Sequence, residues 1–410
     1  MKRNKKLLIF VILLLIFSAK AMTQATTELS RNIPISRVNG KPTDEMFIKS
    51  MADFSIEIFK KGIIRNENSL VSPLSIMLAL AMTANGADGE TLAQMENLLG
   101  GGISLTDLNE YLYMYANELP NVNKSKLNIA NSIWFREGFE VEQVFLQSNA
   151  NYFDASIFRA AFDNQTVRDI NDWVSQNTDG LIDRIMDNID EANVMYLINA
   201  IVFDGEWLTS YEARNIRKGD FRDINDRIRN VDFLHSDEYI YLENNSAIGF
   251  VKPYFDEHYS FMALLPNVGM SMDSFIAGLT GDTFINIIKN SRKTAVRASM
   301  PKFKYDFEIS LNDALKSLGM PLAFNDTMAD FSRIGAPNIR ENIYISEVRH
   351  KTFIEVDERG TRAAAVTSVE ATVTRAPPPP RIVHLDRPFV FAIIDNKTNL
   401  PIFLGTMMKL

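Results

Sequence analysis

EVDERGTRAAAVTSVEATVTRAPPPP, residues 355–380, decides how the rest of the chain is read. Taken in steps of two from Thr361, it presents Thr361, Ala363, Ala365, Thr367, Val369, Ala371 and Val373, all small or β-branched and none charged. The other register carries Arg362, Ala364, Val366, Ser368, Glu370, Thr372 and Thr374, so both charges fall on one face. A period of two is strand patterning, and the uncharged face suits burial in a sheet. Yet Gly360, the alanine triplet and Pro377 to Pro380 describe an extended, exposed segment, because no bulky side chain anchors it and the prolines lack backbone donors. The segment reads as a loop able to become a strand. A linker between two domains is the competing reading, and it fails on length: only about 30 residues follow Pro380, too few for an ordinary domain.

The 410 residues are 46% hydrophobic and 23% charged, ordinary globular material with ample apolar content for a large core. Lys2, Arg3, Lys5 and Lys6 precede an apolar run over 7–17, and Ala19-Lys20-Ala21 supplies a small-x-small cleavage site, the build of a secretory signal. The apolar run is well short of the roughly 20 residues that span a membrane. Residues 1–21 are therefore expected to be removed, 22–43 to form a flexible polar leader, and 44–410 to form one domain, secreted and extracellular. Cleavage after Ala21 removes five basic residues and no acidic one, leaving 38 basic against 51 acidic side chains. So acidic a chain disfavours nucleic acid, anionic membranes and heparin-like polyanions as partners.

With no cysteine there are no disulfides, and stability must come from packing. His235, His258, His350 and His384 are scattered and no HExxH motif occurs, so neither a metal nor another cofactor is expected. Asn-x-Ser/Thr triplets at Asn123, Asn164, Asn244 and Asn325 make the chain a candidate glycoprotein. A fifth, at Asn396, falls in a short turn between two apolar strands and is the least expected to carry glycan.

Along the chain, Phe47, Met51, Phe54, Ile58 and Phe59 recur at helical spacing from Asp44 to Lys61. Ser72 and Pro73 then cap and open a helix over 74–82 that is apolar all round, and another is expected from Thr91. Residues 128–135 and 195–203 read as continuous apolar strands suited to the centre of a sheet. Between them, 167–177 reads as a helix with Ile170, Trp173 and Val174 inward. Residues 220–249 alternate in the manner of antiparallel hairpins, 259–266 and 294–307 continue as strands, and 310–318 is helical. A closing hairpin is expected over 389–394 and 401–407. Helices dominate the first half and strands the second, which points to α+β with more than one sheet.

From Asp44 onward the chain resembles the serpin family. The motifs that carry the resemblance are Val71-Ser-Pro-Leu-Ser-Ile76, Gly86-Ala-Asp-Gly-Glu-Thr91, Ile170-Asn-Asp-Trp-Val174, Leu197-Ile-Asn-Ala-Ile201 with Trp207, and Met300-Pro-Lys-Phe303. They continue with Ile345-Ser-Glu-Val-Arg-His-Lys-Thr-Phe-Ile354, Glu358-Arg-Gly-Thr361 and Asp386-Arg-Pro-Phe389, all in the family's order. The resemblance implies three sheets, about nine helices and an exposed reactive loop, here about 358–381. It also implies a suicide mechanism, in which a serine protease cleaves the loop and is held as an acyl-enzyme while the freed loop inserts as a central strand. Under it, Glu358, Gly360, Thr361, Ala363, Ala364 and Ala365 match the hinge of the loop. Ser72, Ser75, Asn199 and His350 match positions under the middle of the sheet, where strands part, and Trp207, Lys302 and Glu358 match its top. Arg362 stands where inhibitory members usually have glutamate, and Leu181 replaces the usual lysine after Gly180.

The family's spacing from Gly360 puts the residue before the cut at Thr374, and one step later lies Arg375. An Arg side chain suits the carboxylate-floored pocket of a trypsin-like protease, so Arg375-Ala376 is favoured over Thr374 as the reactive bond. The expected function is a secreted, monomeric inhibitor of a trypsin-like serine protease, joined to it covalently. The alternative is a non-inhibitory serpin acting as carrier, chaperone or storage protein. No Gly-x-Ser-x-Gly elbow, P-loop or metal motif supports an enzyme.

Overall fold

The computed structural model describes residues 26–119, 121, 124–335, 342–361 and 379–410. The expected signal, Asn123, Ala363, Ala364, Ala365, Thr374, Arg375 and Ala376 lie outside the described residues.

Asp44 caps α1 (Glu45–Gly62) by accepting from the Phe47 N–H, and Phe47, Met51, Phe54, Ile58 and Phe59 turn inward. Ser72 caps α2 (Pro73–Ala84), all twelve residues of which are buried, so the helix has no polar face. α3 (Gly89–Gly100) starts two residues ahead of Thr91 because the Asp88 carboxylate accepts from the Gly89 N–H. α4 (Leu105–Glu118) and α5 (Gln143–Phe153) follow. α6 (Asn164–Asn177), opened by a reciprocal cap between Asp163 and Thr166, buries Ile170 and Val174 fully and Trp173 in part. α7 (Met272–Ala277), α8 (Gly281–Lys289) and α9 (Asn312–Ser317) complete nine α-helices among the described residues.

In chain order the strands are β1 (Thr27–Glu28), β2 (Ser69–Val71), β3 (Ser125–Arg136), β4 (Ser156–Ala160), β5 (Met195–Glu206), β6 (Ile216–Arg222), β7 (Ile228–Glu243) and β8 (Ala247–Pro253). β9 (Tyr259–Pro266), β10 (Arg292–Pro301), β11 (Phe303–Ser310), β12 (Glu347–Val356), β13 (Gly360–Thr361), β14 (Arg381–His384), β15 (Phe389–Asp395) and β16 (Pro401–Met407) follow. One sheet runs β1-β4-β3-β5-β13-β12-β11; the other runs β14-β10-β7-β8-β9-β15-β16-β2, with β6 beside β7. The implied three sheets are joined here into two, because β7 is 16 residues long. Its first seven residues pair with β6, its middle with β10 and its last four with β8.

Two expectations change. The strand over 294–307 is two strands in different sheets: Pro301 has no N–H to continue the ladder, Lys302 N donates to Asp232 O at 2.9 Å, and Phe303 begins a new pairing with Val356. The leader over 22–43, expected to be flexible, meets the body at several points among its described residues. β1 adds to the sheet edge against β4, Leu29 N donates to Ile157 O (2.7 Å), and Gln147 Nε2 donates to Pro34 O (2.7 Å). Backbone groups at an open sheet edge provide the partners that its polar composition did not reveal.

β5 is covered on both faces, which explains its apolar run over 195–203, interrupted only by Asn199. Tyr196, Ile198, Ala200 and Val202 face α6, while Leu197, Ile201 and Phe203 join the main core between the sheets.

Candidate functional site

Two places on the first sheet gather the residues singled out above. In the middle, β5 and β12 are direct parallel neighbours from Tyr196↔Glu347 to Val202↔Phe353. Asn199 and His350 sit opposite each other in this register, above the N-terminus of α2. The His350 ring is completely buried. The Ser72 N–H points at its Nε2, 3.1 Å away. A backbone N–H can only donate, so Nε2 accepts, Nδ1 carries the proton, and the Asn199 carbonyl oxygen accepts from it. The ring is therefore neutral, and burial pushes its pKa down to about 3. The Asn199 amide nitrogen donates to Ser75 Oγ and to Asn131 Oδ1, while Asn131 Nδ2 donates to Ser75 O at 3.2 Å. Ser72 Oγ donates to Ile402 O in the second sheet (2.8 Å). The network thus ties β3, β5, β12, α2 and β16 at one buried point. Asn131 was not singled out from sequence; a polar residue inside an apolar strand was the available signal.

At the top of the sheet β5 and β12 part, and β13 stands between them. Gly360 pairs with Glu206 and Thr361 with Gly205 on one side, and Thr361 pairs with Val356 on the other. The chain turns back from β12 to β13 through Asp357, whose carboxylate accepts from the N–H groups of Arg359 (2.8 Å) and Gly360 (3.2 Å). Glycine is required at 360, since a Cβ there would lie 2.1 Å from Gly205 O. Thr361 is buried and its hydroxyl meets that of Tyr254 at 2.7 Å. This places Thr361 on the inward face, the register that is free of charge through Val373.

Donors from the strip after β5 hold this turn. Trp207 Nε1 donates to Asp357 O (2.9 Å), Trp207 N to Arg359 O (2.9 Å) and Tyr211 N to Glu358 O (2.8 Å). Trp207 stacks on Tyr254 with ring centroids 4.6 Å apart. Lys302 bonds the Glu358 carboxylate, and that bond holds the carboxyl below the usual carboxylate range. The structure therefore brings Glu358, Gly360, Thr361, Trp207 and Lys302 together at one end, and Ser72, Ser75, Asn199 and His350 together in the middle. Tyr254 and Tyr211 were missed because their contacts cross between sheets, which no local pattern records.

Of the glycosylation triplets, Asn164 and Asn244 are exposed and Asn325 is half-buried. Among the described residues, no helix is long and apolar enough to cross a membrane, and no group of three or more His, Cys, Asp and Glu is arranged to hold a metal ion.

A family model described as Serpin (serine protease inhibitor) matches residues 49–410. Neuroserpin of Homo sapiens is 30% identical over 383 residues, covering 88% of this chain and 91% of its own. The structure is similar to the native state of tengpin, a thermophilic serpin, with a TM-score of 0.91 and 55% identity over 94% of this chain and all of that one. Against the latent state of tengpin the TM-score is 0.81, with 52% identity over 90% of this chain and all of the other.

Proposed function

The chain belongs to the serpin family, and we propose that it is a secreted, monomeric suicide inhibitor of a trypsin-like serine protease. The observation that carries the proposal is β13: two residues of the hinge already stand between β5 and β12, at the head of a register without charge. The serine hydroxyls of the site and His350 are completely buried and out of reach of a peptide; what the site offers is a place for a strand. In the proposed reaction the target protease's own serine attacks the carbonyl carbon of Arg375, an ester to Arg375 forms, and the peptide bond to Ala376 breaks. The leaving amine takes up a proton. Residues after Thr361 then follow β13 into the sheet, adding ladder hydrogen bonds on both sides and burying the uncharged face. β5 and β12 must separate along the seven pairs from Tyr196↔Glu347 to Val202↔Phe353, and the network at Asn199 and His350 is the polar contact that yields. The uncleaved protein is thus held by a kinetic barrier.

Residues 1–21 direct secretion in this reading, and Arg375 selects the protease. The acidic surface argues against a heparin-like cofactor. A direct test mixes the purified protein with trypsin on a denaturing gel. A covalent complex, with a released fragment beginning at Ala376, is the expected result; cleavage without complex points to the carrier, chaperone or storage reading or to another protease. Arg375→Ala is expected to lower the rate of complex formation with trypsin by at least about 100-fold, because one charged, bidentate contact is lost. Unchanged inhibition by that variant would move the cut, with Thr374 the next candidate.

A further inference from the structure

Behind the hinge lies a buried ion pair. Lys252 on β8 and Glu238 on β7 are joined at 2.9 Å, with side chains only 3% and 7% exposed. The Lys252 ammonium also donates to Thr209 O at 3.0 Å, and it lies 4.5 Å from the Tyr211 ring and 5.4 Å from the Trp207 ring. Glu238 Oε1 accepts from the Ser236 hydroxyl (2.6 Å), which in turn is 3.3 Å from the Tyr211 hydroxyl.

Apart from its carboxylate partner, every contact of this ammonium falls on residues 207–211. That strip supplies the three N–H groups that grip Asp357 O, Glu358 O and Arg359 O. Within it Leu208 and Thr209 are exposed, so apolar packing does not fix its middle. A buried ion pair is a poor source of net stability, because loss of hydration offsets most of the attraction. What it supplies is geometry: the ammonium must satisfy its donors, and Glu238 and Thr209 O are placed to do so.

We propose that the Lys252–Glu238 pair is a positioning device for the hinge. It fixes 207–211 so that Trp207 and Tyr211 hold the turn and β13 in the sheet, and thereby sets how often the cleaved loop inserts before the acyl-enzyme is hydrolysed. The kinetic half of this inference rests on the inhibitor reading; the structural half does not.

The test uses two variants of the full-length protein, Lys252→Met alone and Lys252→Met with Glu238→Gln, the second removing the buried carboxylate that the first would leave unpaired. Hydrogen exchange is followed at 207–211 and 357–361, with the β3–β5 ladder as reference, together with the urea midpoint and the ratio of covalent complex to cleaved free protein with trypsin. In the double variant, exchange at the Trp207 and Tyr211 amides is expected to rise about tenfold while the β3–β5 ladder keeps its protection. The ratio of complex to cleaved protein is expected to fall about threefold or more. A fall in the urea midpoint with exchange at 207–211 changed no more than elsewhere would overturn the proposal and leave the pair a structural one. If the unaltered protein forms no complex with trypsin, the inhibitor reading has failed, and the exchange result still decides whether the pair positions the hinge.

Discussion

Gly360→Ala is expected to leave the protein folded and to lower its yield of covalent complex with trypsin by at least about tenfold, a loss of about 1.4 kcal/mol or more in the partition between insertion and hydrolysis. The added methyl would lie 2.1 Å from Gly205 O and 2.8 Å from the Cα of Glu206. Both atoms belong to the backbone of β5, a strand packed on both faces, so neither can move aside cheaply. The hinge is the softer partner. It leaves the sheet, giving up the pairings of Gly360 and Thr361 with β5 and the hydroxyl contact between Thr361 and Tyr254. Each such bond is worth about 1 kcal/mol net, so the change in overall stability is small beside the steric overlap. The parallel pairing of β5 with β12 below is untouched. Under the proposed function, cleavage at Arg375 would then proceed with nothing seeded between the strands, and the protease would be released before the loop finds its place. The gel ratio of complex to cleaved chain reads this directly, and a thermal melt within about 3 °C of the unaltered protein confirms the fold. A complex yield equal to that of the unaltered protein would show that insertion does not start from β13.

What sequence could foretell divides by the range of the physics. Asp44 and Ser72 announce helix starts because a cap is satisfied within three residues, whereas the helix expected from 167 begins at Asn164, behind a cap at Asp163 that the apolar spacing did not show. The double burial of β5 is announced by an apolar run that only Asn199 interrupts. Thr361 falls on its inward register because alternation needs no knowledge of the partner strand. Long-range pairing has no such signature. Pro301 and Lys302 mark where the chain leaves one sheet for another; the apolar positions move there from even numbers (Val296, Ala298, Met300) to odd ones (Phe303, Tyr305, Phe307), a one-residue slip that does not by itself tell a change of sheet from a bulge. Thr27, Glu28 and Leu29 lie in a polar stretch that looks like solvated chain, but the edge of β4 offers them backbone partners. Lys252 lies in an apolar strand where a charge reads as outward-facing, and only the meeting of β7, β8 and the strip after β5 encloses it. The Glu358–Lys302 contact came from family resemblance rather than from spacing, since 56 residues separate the two.

Acid should weaken the sheet at His350 before it reaches the carboxylates. The folded pKa is depressed to about 3, against an ordinary 6.5, so below pH 6.5 the unfolded chain takes up a proton that the folded ring refuses. Stability from this group is complete above pH 6.5 and is lost as pH falls toward 3, about 4–5 kcal/mol at full extent and about 2 kcal/mol by pH 5. The depressed carboxyls of Glu358, Asp44 and Asp163 act in a lower window, as pH falls below about 4.5. His235 is also depressed by burial, with Arg217 and His384 adding to the effect, so the two histidines must be separated by substitution. His350→Gln does this: a Gln amide can accept from the Ser72 N–H and donate to Asn199 Oδ1 without a proton to gain. Urea midpoints measured at pH 7, 6 and 5 are expected to fall steeply for the unaltered protein and by about half as much or less for His350→Gln. Equal slopes in the two proteins would place the acid sensitivity elsewhere. The loss has a direction in the fold as well. A proton on Nε2 would set one N–H against another at Ser72, where β12 lies over the start of α2 and directly beside β5. The repulsion sets β12 against the helix beneath it, under the seam where β5 and β12 must part for the loop, so insertion without cleavage should also speed up between pH 6.5 and 5.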